Sequence, residues 1–164
     1  MIEFIKTDSE EKIKELENLA QEIWNEHYIK ILSQEQIDYM LENFQSEKAL
    51  KEQIQNGYEY YIICKDREIA GYIGFCPDDG YLFLSKIYLK AKMRGKGLGR
   101  AGIEFAEKYA INHGFNKIRL TVNKYNMTSV YVYNNLSFKK IDEAVTDIGN
   151  GFVMDDYIME KTLY

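Results

Sequence analysis

Apolar residues recur along this chain at two periods, and the change of period near residue 57 organises it. Ile13, Leu16, Ala20, Ile23 and His27 fall three or four residues apart, with Leu19 and Trp24 widening the stripe, which predicts an amphipathic helix. Ile2 and Phe4 form a short strand before it, and Thr7 and Glu10 have the spacing of a capping box. Ser33 and Gln36 repeat that spacing ahead of a helix with the apolar face Ile37, Met40, Leu41 and Phe44. A short helix from Ser46 to about Gln55 carries Ala49, Leu50 and Ile54 and stops at Asn56-Gly57.

Beyond Gly57 the pattern becomes strand-like. Residues 58–64 and 68–75 are β-rich and joined by the polar turn Lys65-Asp66-Arg67; Pro77-Asp78-Asp79-Gly80 leads into 81–89, so three antiparallel strands in a row are expected. A glycine-rich loop follows. Helical spacing then resumes at Leu98, Ala101, Phe105 and Tyr109 and closes at His113-Gly114, before Ile118, Leu120 and Val122 alternate with polar neighbours as a strand. Val130-Tyr131-Val132-Tyr133 favours a strand by propensity, although Asn126 and Thr128 could cap a helix. Residues 138–144 and 152–159 form a terminal β pair about Gly149-Asn150-Gly151. Local hairpins with one βαβ unit define an α+β class with a mixed, mostly antiparallel sheet flanked by helices.

A length of 164 residues suits one domain spanning 1–164. The N-terminus has no basic segment followed by an apolar core, and no run of about 18 apolar residues occurs, so a soluble cytoplasmic protein is expected, as monomer or homodimer. Cys64 and Cys76 form no disulfide framework, and no His/Cys cluster offers a metal site. His27 and His113 read as ordinary surface or satisfied histidines. The net charge of −5 argues against a nucleic-acid partner. Its distribution is uneven: residues 1–56 hold 6 basic and 13 acidic groups, whereas 80–103 hold no acid and six bases, Lys86, Lys90, Lys92, Arg94, Lys96 and Arg100.

Those bases surround Arg94-Gly95-Lys96-Gly97-Leu98-Gly99. A strand, a basic glycine-rich turn and a helix start together make a phosphate site, because glycine lets the backbone approach closely and free N–H groups attract anions. Gly97-x-Gly99-x-x-Gly102 matches the dinucleotide fingerprint literally, but that unit needs an acid about 20 residues on, where Asn123 stands. A phosphate-binding Walker loop needs Ser or Thr after Gly-Lys; Gly97 follows Gly95-Lys96.

Arg94-x-x-Gly97-x-Gly99 resembles the Arg/Gln-x-x-Gly-x-Gly/Ala signature of the GCN5-related N-acetyltransferases (GNAT). The stretch from Asn126 through Ser129, Tyr133 and Ser137 to Phe138 resembles the family's Asn-x-x-Ala-x-x-x-Tyr-x-x-x-Gly-Phe, with Ser129 for Ala and Ser137 for Gly. The resemblance covers roughly residues 80–140. It implies a sheet splayed between the fourth and fifth strands and a short helix over 127–135 against strand propensity. It also implies acetyl-CoA as co-substrate and no metal. The backbone of Ile87, Tyr88 and Leu89 would run beside pantetheine. Arg94, Gly95, Lys96, Gly97, Leu98, Gly99 and Arg100 would hold phosphate; Asn126, Ser129 and Tyr133 would complete the site, with Tyr133 as general acid. A general base is left open among Glu22, Glu26, His27 and a water chain.

The acidic first 56 residues and Asp155-Asp156 suit a cationic small-molecule amine such as a polyamine. A peptide N-terminus or lysine is the alternative acceptor, and a non-catalytic acyl-CoA-binding domain the alternative function.

Overall fold

The computed structural model describes residues 1–164. Seven strands form one sheet in the order β1-β2-β3-β4-β5-β7-β6, in which the β4–β5 pair alone is parallel. Strand β1 (Ile2–Lys6) is followed by helices α1 (Glu10–Tyr28), α2 (Gln34–Phe44) and α3 (Glu47–Gln55). Strands β2 (Glu59–Lys65), β3 (Glu68–Pro77) and β4 (Leu82–Leu89) make the expected meander. A 3₁₀ turn (Ala91–Met93), α4 (Leu98–Asn112), β5 (Lys117–Asn123), α5 (Met127–Asn135), β6 (Lys139–Gly149) and β7 (Phe152–Thr162) complete the chain. The α+β class and the mixed, mostly antiparallel sheet are as the sequence implies.

Each face of the sheet buries its own core. On one side α1, α2 and α3 pack Leu16, Ala20, Ile23, Trp24, Ile37 and Leu50 against Tyr60, Ile62 and Tyr72. On the other, Leu98, Ile103, Ala106 and Ala110 of α4 meet Ile63, Ile73, Phe75, Leu120 and Phe138. A polar chain locks the first layer: Trp24 Nε1 donates to the Tyr72 hydroxyl at 2.7 Å, which donates to Gln45 Oε1 at 2.9 Å. Gln45 is wholly buried, so its carbonyl would be costly to leave unpaired.

Local details correct several expectations. The cap of α1 is Ser9, whose side chain accepts from Lys12 N, and Thr7 is buried instead, its backbone N–H bonded to Tyr60 O. Ser33 caps α2 through Gln36 N, but the Gln36 side chain reaches Val153 O rather than back to the cap. Strands β6 and β7 extend beyond the expected 138–144 and 152–159 because they pair with each other up to Gly149↔Phe152, and Tyr39 of α2 donates to Ile148 O at 2.7 Å, pinning the hairpin tip. Residues 127–135 are helical. Asn126 Oδ1 accepts from Ser129 N at 3.3 Å, and this cap, with Tyr133 and Leu136 packed on the core, outweighs a strand preference of a few tenths of a kcal/mol per residue. Ser137 has φ +73°, the conformation that glycine would adopt more easily.

Strands β4 and β5 touch only at Leu82↔Ile118 and Phe83↔Arg119, and then diverge. Where they part, the β3–β4 register shifts between Gly74 and Phe75, whose partners are Lys86 and Leu84, so Ser85 is an extra residue. Such a bulge bends its strand. The bend carries residues 84–89 away from β5 and opens the sheet.

Removing the Tyr72 hydroxyl in Tyr72→Phe leaves both Trp24 and Gln45 without their partner, so urea denaturation is expected to show a loss of about 1–3 kcal/mol. A loss within error would mean that this chain does not lock the layer.

Candidate active site

The opened sheet lines a cavity of about 750 Å³, walled by β4 from Leu84 to Leu89, by β5 from Leu120 to Asn123, by the glycine loop and by α5. Ile87 sits against α4 because Gly102 has no side chain: a Cβ there would lie 2.6 Å from Ile87 Cδ1. At the loop, Gly97 is the N-cap of α4 with φ +80° and supplies no side-chain cap. None of the six consecutive amides from 95 to 100 has an acceptor within the protein. A row of unpaired N–H groups at a helix start, beside Arg94 and Arg100, is a site for an anion of phosphate type.

The cofactor-site residues singled out from sequence converge here, with one exception. Ile87, Tyr88, Leu89, Arg94, Gly95, Gly97, Leu98, Gly99, Arg100, Asn126, Ser129 and Tyr133 all border the cavity. Lys96 is exposed and does not. Leu98 is buried in the core, so it can present only its backbone. Tyr133 packs its ring against Phe138 at 5.8 Å, whereas Tyr131 is 67% exposed.

Helix α1 closes the cavity with side chains of its last two turns, among them the three left open as general bases. Glu22 pairs with Lys90 at 3.3 Å, and Glu26 accepts from Ala91 N at 2.6 Å. His27 Nε2 lies 2.9 Å from Asn126 Nδ2, and its Nδ1 lies 3.4 Å from Arg94 Nη2. Burial, and then the Arg94 guanidinium, pull His27 down to about 4, so it is neutral at physiological pH. Arg94 also donates to Leu89 O at 3.2 Å.

Tyr28 was missed. It ends the apolar stripe of α1 as an unremarked aromatic, yet its hydroxyl bonds that of Tyr88 at 2.7 Å. Burial raises the Tyr28 phenol to about 12 and lifts Tyr88 and Tyr133 as well, keeping all three protonated at neutral pH. Lys86, read only as one base among six, lines the same cavity. Asp156 on β7 is buried and its Oδ1 has no partner; burial, then the neighbouring Asp155 carboxylate, raise it to about 6 against the pull of Lys124. No group of three or more His, Cys, Asp or Glu side chains could hold a metal ion, and no helix is long and apolar enough to cross a membrane.

Comparison with known proteins places this geometry. The family model of the Acetyltransferase (GNAT) family matches residues 13–138. An "Uncharacterized N-acetyltransferase in pepI 3'region" of Lactobacillus delbrueckii subsp. lactis is 26% identical over 164 residues, covering 94% of each chain. The crystal structure of the PaiA N-acetyltransferase of Thermoplasma acidophilum in complex with coenzyme A superposes with a TM-score of 0.81 at 26% identity, over 99% of both chains. The ribosomal-protein-S18-alanine N-acetyltransferase of Escherichia coli shares the fold, with a TM-score of 0.73 at 16% identity over 99% of this chain and 94% of that one. A splayed α+β sheet of this kind is the GNAT fold. The chain belongs to the GNAT family and is an acetyl-CoA-dependent N-acetyltransferase.

Asp156 offers a pH test. Its folded value lies above the ordinary carboxyl value, so the cost of its charge is absent at low pH, grows as pH rises toward about 6 and is complete above that. Asp156→Asn should therefore raise the melting temperature at pH 8, and the gain should shrink toward pH 4.5. An equal shift at both pH values would show that charge burial is not its cause.

Proposed function

We propose that this protein, acting as one domain, transfers acetyl from acetyl-CoA to a primary amine of a small molecule by direct attack in a ternary complex. The observation that carries the reading is the row of six unpaired amides at 95–100, set at the end of the bent strand β4. The pyrophosphate of CoA fits those amides with Arg94 and Arg100, and pantetheine fits the unpaired edge of β4 at Ile87, Tyr88 and Leu89. The residues present suit the ligand: a Cβ at Gly99 would project where no protein atom lies within 4 Å, so the backbone is open to a large anion.

The amine nitrogen attacks the thioester carbonyl, the N–C bond forms, and negative charge grows on the carbonyl oxygen, where an N–H of β4 stabilises it. The C–S bond then breaks and the CoA thiolate takes a proton from the Tyr133 hydroxyl. Tyr133 suits that role because burial keeps it a phenol and it has no hydrogen-bond partner to compete. Asn126 and Ser129 hold the start of α5, which sets the depth of Tyr133. Glu22 and Glu26 are engaged as tethers of α1, and burial pulls His27 down to about 4, which leaves its neutral imidazole a weak base. The amine proton therefore leaves through solvent or through a group that the acceptor itself brings close.

Thiol release from acetyl-CoA, measured across a panel of amines, tests the reading; release that no amine accelerates would contradict it. Arg94→Ala should raise KM for acetyl-CoA much more than KM for the amine. Equal effects on both would make Arg94 a structural tie to Leu89 and His27. Tyr133→Phe at saturating acetyl-CoA should lower kcat by up to about 10²- to 10⁴-fold, the span of general acid catalysis, with Tyr131→Phe as the control. Wild-type turnover by Tyr133→Phe would leave solvent as the proton donor.

A further inference from the structure

The charges in the cavity wall do not match the acidic sequence around it. Its charged side chains are one acid, Glu26, and four bases, Lys30, Lys86, Arg94 and Arg100. Glu26 is occupied by Ala91 N. Several of the acids that gave the N-terminal region its charge are engaged elsewhere: Glu22 with Lys90, Glu17 with Glu47 N, and Glu10 and Glu47 with Lys51. Asp155 is paired with Lys124. Asp156 faces Tyr28 from β7 and is not part of the wall.

Lys86 is the cation at the far end from the phosphate loop. It lies three residues before Leu89, roughly 10 Å along the strand. It shares a face of β4 with Tyr88, two residues on, and that face looks toward α1 and the Tyr28–Tyr88 pair. Its ammonium donates to Ser85 Oγ at 2.9 Å and stands 6.0 Å from the centre of the Tyr60 ring. Tyr60 reaches that place by lying over Gly74, where a Cβ would come within 2.5 Å of the ring. No carboxylate pairs with Lys86. The other groups around it, Tyr58 beside Ser85, Tyr60 and Tyr88, are phenols that burial keeps neutral. The same desolvation pulls Lys86 itself to about 8.

A partly buried ammonium with only a hydroxyl and an aromatic ring around it is costly unless an anion completes it. A polyamine entering this end of the cleft would bring a second positive charge beside the first. We propose that Lys86 binds a carboxylate of the acceptor, so that the amine acetylated belongs to a small anionic or zwitterionic molecule of amino-acid type. This rests on the transferase reading above and names its substrate class. An α-carboxylate lies within two bonds of its amine, so an acceptor held by Lys86 keeps its nitrogen near Tyr88, Tyr28 and the reacting end of β4.

The test compares, in the full-length enzyme, amino acids with their methyl esters and with spermidine, at saturating acetyl-CoA. Wild type should prefer the free acid over its ester by about ten- to a hundredfold in kcat/KM, the factor of a charge-assisted hydrogen bond. Lys86→Met should bring that ratio toward one, through KM of the acid, and Lys86→Arg should restore much of it; Lys86→Gln serves if the Met variant melts early. A wild-type preference for spermidine or for the ester, or a ratio that Lys86→Met leaves unchanged, overturns the assignment. If acetyl-CoA raises the melting temperature but no amine of any class is acetylated, the transferase reading itself fails and the assignment falls with it.

Discussion

Two rungs of parallel pairing, Leu82↔Ile118 and Phe83↔Arg119, decide what this protein can do. Had β4 and β5 stayed paired to their ends, the backbone groups of residues 84–89 would be satisfied within the sheet and no cleft would exist. The extra residue at Ser85 bends β4 at the point where pairing stops. Buried backbone groups need partners, so an unpaired strand edge inside the molecule is a demand that a ligand with amide and carbonyl groups of its own can meet. The glycine loop stands at the end of the same strand, so the bend sets the line along which an extended ligand would lie.

Helix α1 turns that opening into a site. Its inner residues pack in the core, while Glu22, Glu26, His27 and Tyr28 reach across to Lys90, Ala91, Asn126 and Tyr88. These links join α1 to both walls of the cleft, from β4 on one side and α5 on the other. Part of the acidity of the N-terminal third thus fixes geometry, Glu17, Glu22 and Glu26 each holding a neighbouring element. Around Lys86 the Tyr60 and Tyr88 phenols stay neutral, and the low polarity there would strengthen an ion pair that Lys86 formed.

Much of this was legible in the chain. The loop with its three glycines, the capping Asn126 and the register of Tyr133 are local features, and local features survive in sequence. The helix over 127–135 was legible only through family resemblance, since Val130 and Val132 favour a strand and the cap that overrides them is one side chain. Tyr28 and Lys86 were not legible, because their roles arise from partners 60 residues away and from a bulge that only strand register reveals. Charge counting is silent on partners for a similar reason. A sum over 56 residues cannot show that Glu17 binds a backbone N–H and that Glu22 binds a lysine. Ser9 caps α1 in place of Thr7 because Thr7, two residues earlier, is buried and bonded through its backbone to Tyr60.

We propose that acetyl-CoA binds in the opening between β4 and β5, along its unpaired amides. Amide chemical shifts of ¹⁵N-labelled protein, followed as coenzyme A is added, address it directly. The account predicts that the largest changes fall at 95–100, with a second group at 87–89. Saturable binding with those amides unmoved, and the changes gathered on another surface, would contradict it.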